Sequence, residues 1–323
     1  MKHGCVDARG TRIHLVEEGE GPVVLLVHGF PESWYSWRHQ IPAIAAAGFR
    51  AVAIDVRGYG RSSAPIEVEA YGMLSHVADN LGVLEALGVD EAVVVGHDWG
   101  SPIAANSALL RPDVFRAAAL LSVPYSPPGN RQPTRAFAEM GGDSGEEFYI
   151  SYFQEPGRAE AEAETDVRSW LLGFYMGASG EAARAPDGGT IATVRRGGLL
   201  RDRFEPQGIL PSWLSATDLD FYTEQFEYSG FRGPLNRYRN VDRDWRDLQV
   251  WKGRPITVPT LFIAGEKDGP AIWGARAIER HAQTLPGLRG SHILPGCGHW
   301  VQQENAGEVS RLLVDWLLSL RLP

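Results

Sequence analysis

Residues 91–100 read EAVVVGHDWG, and the class of fold turns on them. Ala92 to Val95 form the short, β-branched apolar run of a buried strand, and Gly96 and Gly100 frame His97-Asp98-Trp99. Glycines on both sides let a strand turn sharply into a helix, here the small and apolar stretch 101–111. Such a turn lifts its central side chain, Asp98, into a cleft beside a helix N-terminus. This is a nucleophile elbow with aspartate in the place of serine. An aspartate before a helix is also an ordinary N-cap, so the elbow reading depends on partners elsewhere in the chain.

Outward from the elbow, similar apolar runs bounded by turn residues recur at 22–27 (PVVLLV), 49–54 (FRAVAI), 116–122 and 259–265 (PTLFIAG). Amphipathic stretches lie between them at 33–47 and 70–87, and another at 304–320 places Val309, Leu312, Leu313, Trp316 and Leu317 at helical spacing. Strands alternating with helices predict an α/β fold, a mostly parallel central sheet with helices on both faces. Local periodicity leaves open which α/β topology this is.

The alternation stops between about 124 and 255, where Pro124, Pro127 and Pro128 open a stretch rich in helix formers and aromatics without strand-like runs. The expected organisation is a discontinuous core, 1–123 and 256–323, with a mainly helical cap at 124–255 inserted between its halves. Within the insertion, 159–166 (AEAEAETD) reads as a solvated acidic helix face. Residues 177–208, rich in Gly, Arg and Pro, read as a surface loop.

Composition narrows the function classes. The 323 residues are 44% hydrophobic and 22% charged, as in ordinary globular enzymes. The 31 Lys and Arg against 40 Asp and Glu give a net charge of −9, which argues against nucleic acid or an anionic membrane surface as partner. Cys5 and Cys297 are the two cysteines, too few for a disulfide framework or a zinc site. The first twenty residues mix acidic and basic side chains, no signal peptide is read there, and a cytoplasmic location is expected. No metal is expected.

Three segments supply the partners that Asp98 needs. His28-Gly29-Phe30-Pro31 follows an apolar strand, and a loop there can aim the Phe30 N–H at a reacting centre, to form an oxyanion hole with the Trp99 N–H. Asp268 ends 261–268 (LFIAGEKD), at the carboxyl end of a strand, where open α/β sheets carry their sites. Gly269-Pro270 follows it directly and restricts the backbone there. His299 lies in 296–300 (GCGHW), a glycine-rich loop before the final helix. The chain order nucleophile, acid, histidine is that of triads built on an elbow. Cys297 lacks an elbow of its own and reads as a packing residue.

Taken together, HGFPESW at 28–34, DVRGYGRS at 55–62, GHDWG at 96–100 and GHW at 298–300 resemble the soluble epoxide hydrolases of the α/β-hydrolase fold, over nearly the whole chain. The resemblance extends into the insertion, where 149–157 (YISYFQEPG) and 230–240 (GFRGPLNRYRN) look like the cap segments that carry that family's two ring-opening tyrosines. It implies Tyr149 and Tyr238 in that role, with Tyr152 and Tyr222 as packing neighbours, and it places Trp99 and Pro31 against the substrate. No cofactor is implied. The expected partners are a small apolar epoxide and water, acted on by a monomer or homodimer serving detoxification or a biosynthetic step.

The chemistry is consistent with those residue types. An epoxide carbon is attacked from behind, and an aspartate, ionised at neutral pH, attacks without prior deprotonation. The leaving oxygen needs a proton, which tyrosine hydroxyls retain at neutral pH. The resulting ester on Asp98 would be hydrolysed by water activated by His299, with Asp268 orienting the imidazole. A haloalkane or haloacid dehalogenase shares the Asp nucleophile, but a departing halide needs N–H donors and no acid. A catalytically silent binding module is the reading from another class, since a fold alone does not establish activity.

Overall fold

The computed structural model describes residues 1–141, 145–183, 190–204 and 209–320. Eight strands make one sheet: β1 (Lys2–Ala8), β2 (Thr11–Glu18), β3 (Val23–Val27), β4 (Arg50–Ile54), β5 (Ala92–His97), β6 (Phe115–Leu121), and, after two short strands β7 (Glu146–Phe148) and β8 (Thr193–Arg195) that pair with each other, β9 (Thr260–Gly265) and β10 (Leu288–Leu294). Their order is β1-β2-β4-β3-β5-β6-β9-β10. Neighbours from β4 to β10 run parallel, while β1 pairs β2 and β2 pairs β4 antiparallel.

The continuous apolar runs follow from burial on both faces. Alternate residues of a strand face opposite sides, so Leu25 and Val27 of β3 join the core under α2 (Met73–Ala86) and α3 (Gly100–Leu110). Val24 and Leu26 face the other core, against α1 (Gln40–Ala46) and the C-terminal helix Ala306–Ser319. The chain leaves β3 for β4 on one side and returns for β5 on the other. That reversal opens a crevice at the carboxyl ends of β3 and β5, and it sets the loops after Val27 and His97 side by side.

The structure adds strands that the apolar runs do not announce. In β1 most side chains are exposed or half-buried and in β10 they alternate, the pattern of sheet edges, so no continuous apolar run marks them. The β1–β2 turn is Arg9-Gly10, with φ of 58° and 88°, the left-handed pair of a two-residue hairpin loop.

Between β6 and β9 the described residues are mainly helical, including α4 (Pro133–Met140), α5 (Tyr149–Tyr152), α6 (Arg158–Ala163), α7 (Val167–Ala178), α8 (Ala216–Ser229) and α9 (Arg232–Arg239). Two expectations are corrected here. The acidic stretch 159–166 is a solvated face only in part: Ala161, Glu164, Thr165 and Asp166 are exposed, but Glu160 and Glu162 are 8% and 5% exposed. Glu162 accepts hydrogen bonds from the Tyr152 hydroxyl, from Trp170 Nε1 at 3.0 Å and from the N–H groups of Leu200 and Arg201 at 3.1 and 2.7 Å. Glu160 pairs with Arg239. A run of charge on a helix suggests solvation, whereas the carboxylates of Glu160 and Glu162 are each held by a donor from a distant segment, which makes their burial tolerable.

The segment 177–208 is likewise more than a surface loop. It begins inside α7 and contains β8 and the turn Leu200–Arg203, in which Leu200 and Arg203 are buried; its residues 184–189 and 205–208 lie outside the described ones. A strand of three residues is too short to show a period. Among the described residues no helix is long and apolar enough to cross a membrane.

Candidate active site

The turn between β5 and α3 places Asp98 at φ 50°, a left-handed backbone that Asp and Asn tolerate better than most side chains. The flanking glycines are required by space. A Cβ on Gly96 would lie 1.9 Å from the carbonyl oxygen of Gly100, and one on Gly100 would lie 2.0 Å from that of Val27. The raised Asp98 side chain meets the loop after β3, where the Phe30 N–H donates to Oδ1 at 2.8 Å.

His299 arrives from the loop after β10 and stands with Nε2 3.5 Å from Asp98 Oδ2, an ion-pair distance with room to rearrange. On its other side Nδ1 donates to Asp268 Oδ1 at 2.9 Å. Asp268 is fully buried and begins the helix Gly269–Trp273, with Pro270 in its first turn. The proline next to the acid therefore does not displace it from His299.

Burial works first to raise the Asp98 pKa, but the hydrogen bond and charge of His299, the charge of His97 and the Phe30 N–H outweigh it, and the carboxyl is held below its ordinary value. Burial likewise opposes a charged His299. The charge and hydrogen bond of Asp268, with those of Asp98, prevail and raise the imidazole well above its ordinary value. The resting pair is thus carboxylate and imidazolium.

Tyr149 and Tyr238 descend from the helical insertion, Tyr149 directly after β7 and Tyr238 from α9, with ring centroids 6.3 Å apart. Pairing of β7 with β8 fixes the first of them, since the Tyr149 N–H donates to the carbonyl of Ala192, beside β8, at 2.9 Å. Both rings line a cavity of about 320 Å³ together with Asp98, His299, Phe30, Phe174 and Trp273. Burial, and then the charge of Asp98, push both phenol pKa values up, so both hydroxyls keep their protons.

Trp99 and Pro31 are not on the cavity wall. The Trp99 and Tyr238 rings pack edge to face with centroids 5.1 Å apart, and the Arg237 guanidinium lies over the Trp99 ring at 4.7 Å. Pro31 is buried, and its carbonyl accepts the Tyr175 hydroxyl at 2.6 Å. Trp99 thus backs a wall residue, Tyr238, whereas Tyr175, like Pro31, is not among the residues that line the cavity. Cys297 is buried and packs in the core on the side of the C-terminal helix.

Several residues of the site carry no local signal in the sequence. Ser122, buried at the end of β6 with φ 72°, sets its Oγ 3.0 Å from His299 Nδ1. His97 places Nδ1 2.8 Å from Glu32 Oε2 and Nε2 2.8 Å from the carbonyl of His299. Glu32 also accepts the Gly29 N–H at 3.0 Å and Gln302 Nε2 at 2.8 Å, tying the loops of Phe30, Asp98 and His299 together. Glu32 was at hand in HGFPESW, but only the fold reveals what it joins. Among the described residues no cluster of three or more His, Cys, Asp or Glu is placed to hold a metal ion.

Comparison with known proteins agrees with this architecture. The profile of the alpha/beta hydrolase fold family matches residues 22–306. The chain is 45% identical to epoxide hydrolase B of Mycobacterium tuberculosis (strain ATCC 25618 / H37Rv), an alignment covering 99% of each chain. Among solved structures it resembles an epoxide hydrolase from an endophytic Streptomyces, with 63% identity, TM-score 0.96, and coverage of 99% of this chain and 96% of that one. Epoxide hydrolase A from Mycobacterium thermoresistibile superposes with TM-score 0.92 at 42% identity, covering 100% of this chain and 99% of that one. On fold and sequence alike, the chain belongs to the epoxide hydrolases of the α/β-hydrolase family.

Proposed function

We propose that this enzyme converts an apolar epoxide and water to a vicinal diol through a covalent ester on Asp98. The observation that carries the reading is one cavity lined together by the Asp98 carboxyl, the Tyr149 and Tyr238 rings and the His299 imidazole. Labour is divided between a core of residues 1–123 and 256–323, which supplies Asp98, Asp268 and His299, and a cap of 124–255, which supplies the tyrosines. A cytoplasmic enzyme is proposed.

In the first step Asp98 Oδ2 attacks an epoxide carbon, the carbon–oxygen bond opposite breaks, and the ring oxygen takes a proton from Tyr149 or Tyr238. The imidazolium then gives its resting proton to the tyrosinate, and in the second step the neutral His299 removes a proton from water, whose oxygen attacks Cγ of the ester. Charge collects on Oδ1, already in the reach of the Phe30 N–H, with the Trp99 N–H as the proposed second donor. Collapse of this intermediate breaks the Cγ–Oδ2 bond, the departing alkoxide takes the proton from His299 to complete the diol, and the proton left on the new Asp98 carboxyl passes to His299, which restores carboxylate and imidazolium.

The dehalogenase reading is disfavoured by the same wall. A departing halide is stabilised by N–H donors, yet the Trp99 ring packs against Tyr238 and is not among the residues that line the cavity. The test is single-turnover ester formation. Replacing either tyrosine by phenylalanine is expected to slow it by about 10²-fold, and replacing both more severely, within the range of general acid catalysis. Chloride release from a primary chloroalkane, with no diol from any epoxide, would overturn the proposal.

A further inference from the structure

We infer that Glu304 is a positioning residue for the hydrolytic half of the reaction, its carboxylate fastening the loop that carries His299 to the end of α7 that walls the cavity. The inference rests on the roles proposed above for Asp98 and His299. Glu304 Oε2 accepts the Gly298 N–H and the Gly180 N–H, each at 2.8 Å, and Oε1 accepts the Trp300 N–H at 3.0 Å. The residues on both sides of His299 therefore hang on one side chain, which also takes a donor from the insertion.

The backbone of His299 is held by the same segment, since its N–H donates to the carbonyl of Ala178 at 2.9 Å. Ala178 and Ser179 line the cavity. Lys267, next to Asp268 in the chain, closes the junction by donating from Nζ to the Gly180 carbonyl at 2.7 Å. Neither strand of the junction has room for a side chain. A Cβ on Gly298 would lie 2.2 Å from the Gly180 nitrogen, and one on Gly180 would lie 2.1 Å from the Gly296 oxygen.

Two bare backbones thus meet at van der Waals distance, and three of their N–H groups converge on one carboxylate, a charge-assisted arrangement that fixes both segments. Burial prevails and raises the Glu304 pKa above its ordinary value, opposed by the three N–H groups and the charge of His299. Ester formation uses Asp98 and the tyrosines, none of which bonds to Glu304. Ester hydrolysis requires Nε2 of His299 to meet a water at Cγ of Asp98, and a small displacement there is costly.

The test compares rates of formation and decay of the Asp98 ester in the full-length wild type, Glu304→Ala and Glu304→Gln, by rapid quench with an aryl epoxide and mass analysis. For Glu304→Ala, decay is expected to slow by about 10- to 100-fold, as for a misplaced catalytic group, with formation changed by less than about threefold. Glu304→Gln, whose single amide oxygen can keep the two donors at Oε2, should fall between, and it decides the question if the alanine variant does not fold. Equal slowing of both steps, or a lowered melting temperature with both rates unchanged, would overturn the inference and leave Glu304 a structural brace. Absence of any ester in His299→Gln would remove the underlying reading instead, and the inference with it.

Discussion

Asp98→Ala is expected to yield no measurable diol, a loss of at least about four orders of magnitude in turnover. A carboxylate held against its substrate acts at an effective concentration of about 10⁵ M or more. The route left to the variant, direct attack on the epoxide by water with His299 as base, has only general base catalysis, about 10² to 10⁴-fold. Asp98 is also the acceptor for the Phe30 N–H and the partner of His299, so its removal loosens the water-activating machinery too. Folding is expected to survive. Alanine at φ 50° costs about 1–2 kcal/mol in the left-handed region, which lowers the melting temperature by several degrees at most for a chain of this length. Diol measured by chromatography, with melting followed by circular dichroism, separates lost chemistry from lost structure.

His299→Gln is expected to stop the reaction one step later. Ester formation needs an ionised Asp98 and a protonated tyrosine, and both remain, so the variant should gain the mass of one epoxide on the peptide containing residue 98. Decay should fall by about 10³-fold, in line with removal of a triad base. The pH dependence follows from the charges around the imidazole. In the resting enzyme Asp268 and Asp98 raise its pKa well above the ordinary value. Esterification neutralises Asp98 and removes one of those two causes, so the pKa falls and the imidazole is released as a base when hydrolysis needs it. Wild-type ester decay should therefore slow as pH is lowered through the His299 pKa of the ester form. In His299→Gln the residual decay should show no such inflection.

The elbow and its partners were legible because each has a local mark. Val93 to Val95 are buried on both faces of a central strand, so no polar residue interrupts them, and Gly96 and Gly100 are demanded by contacts below 2.1 Å. Asp268 and His299 stand at strand ends and in loops whose composition is unusual, and their chain order is informative. What stayed hidden has distant causes. The edge strands β1 and β10 expose many of their side chains, which dilutes their hydrophobic signal. Glu162 and Glu304 look like surface acids because a decisive donor to each, the N–H of Leu200 and of Gly180, comes from a segment that only the fold brings near. Ser122 touches His299 across 177 residues of chain. Resemblance places Trp99 and Pro31 near the substrate, whereas neither is among the residues that line the cavity, and Trp99 instead backs the Tyr238 ring that does.

The most direct test of a covalent ester on Asp98 is a single turnover in ¹⁸O-labelled water with enzyme in excess over epoxide. The account predicts an unlabelled diol, its new oxygen drawn from the Asp98 carboxylate, and one ¹⁸O atom in the peptide that contains residue 98. Label in the diol from that first turnover, with none in the peptide, would mean direct attack by water on the epoxide and would contradict it.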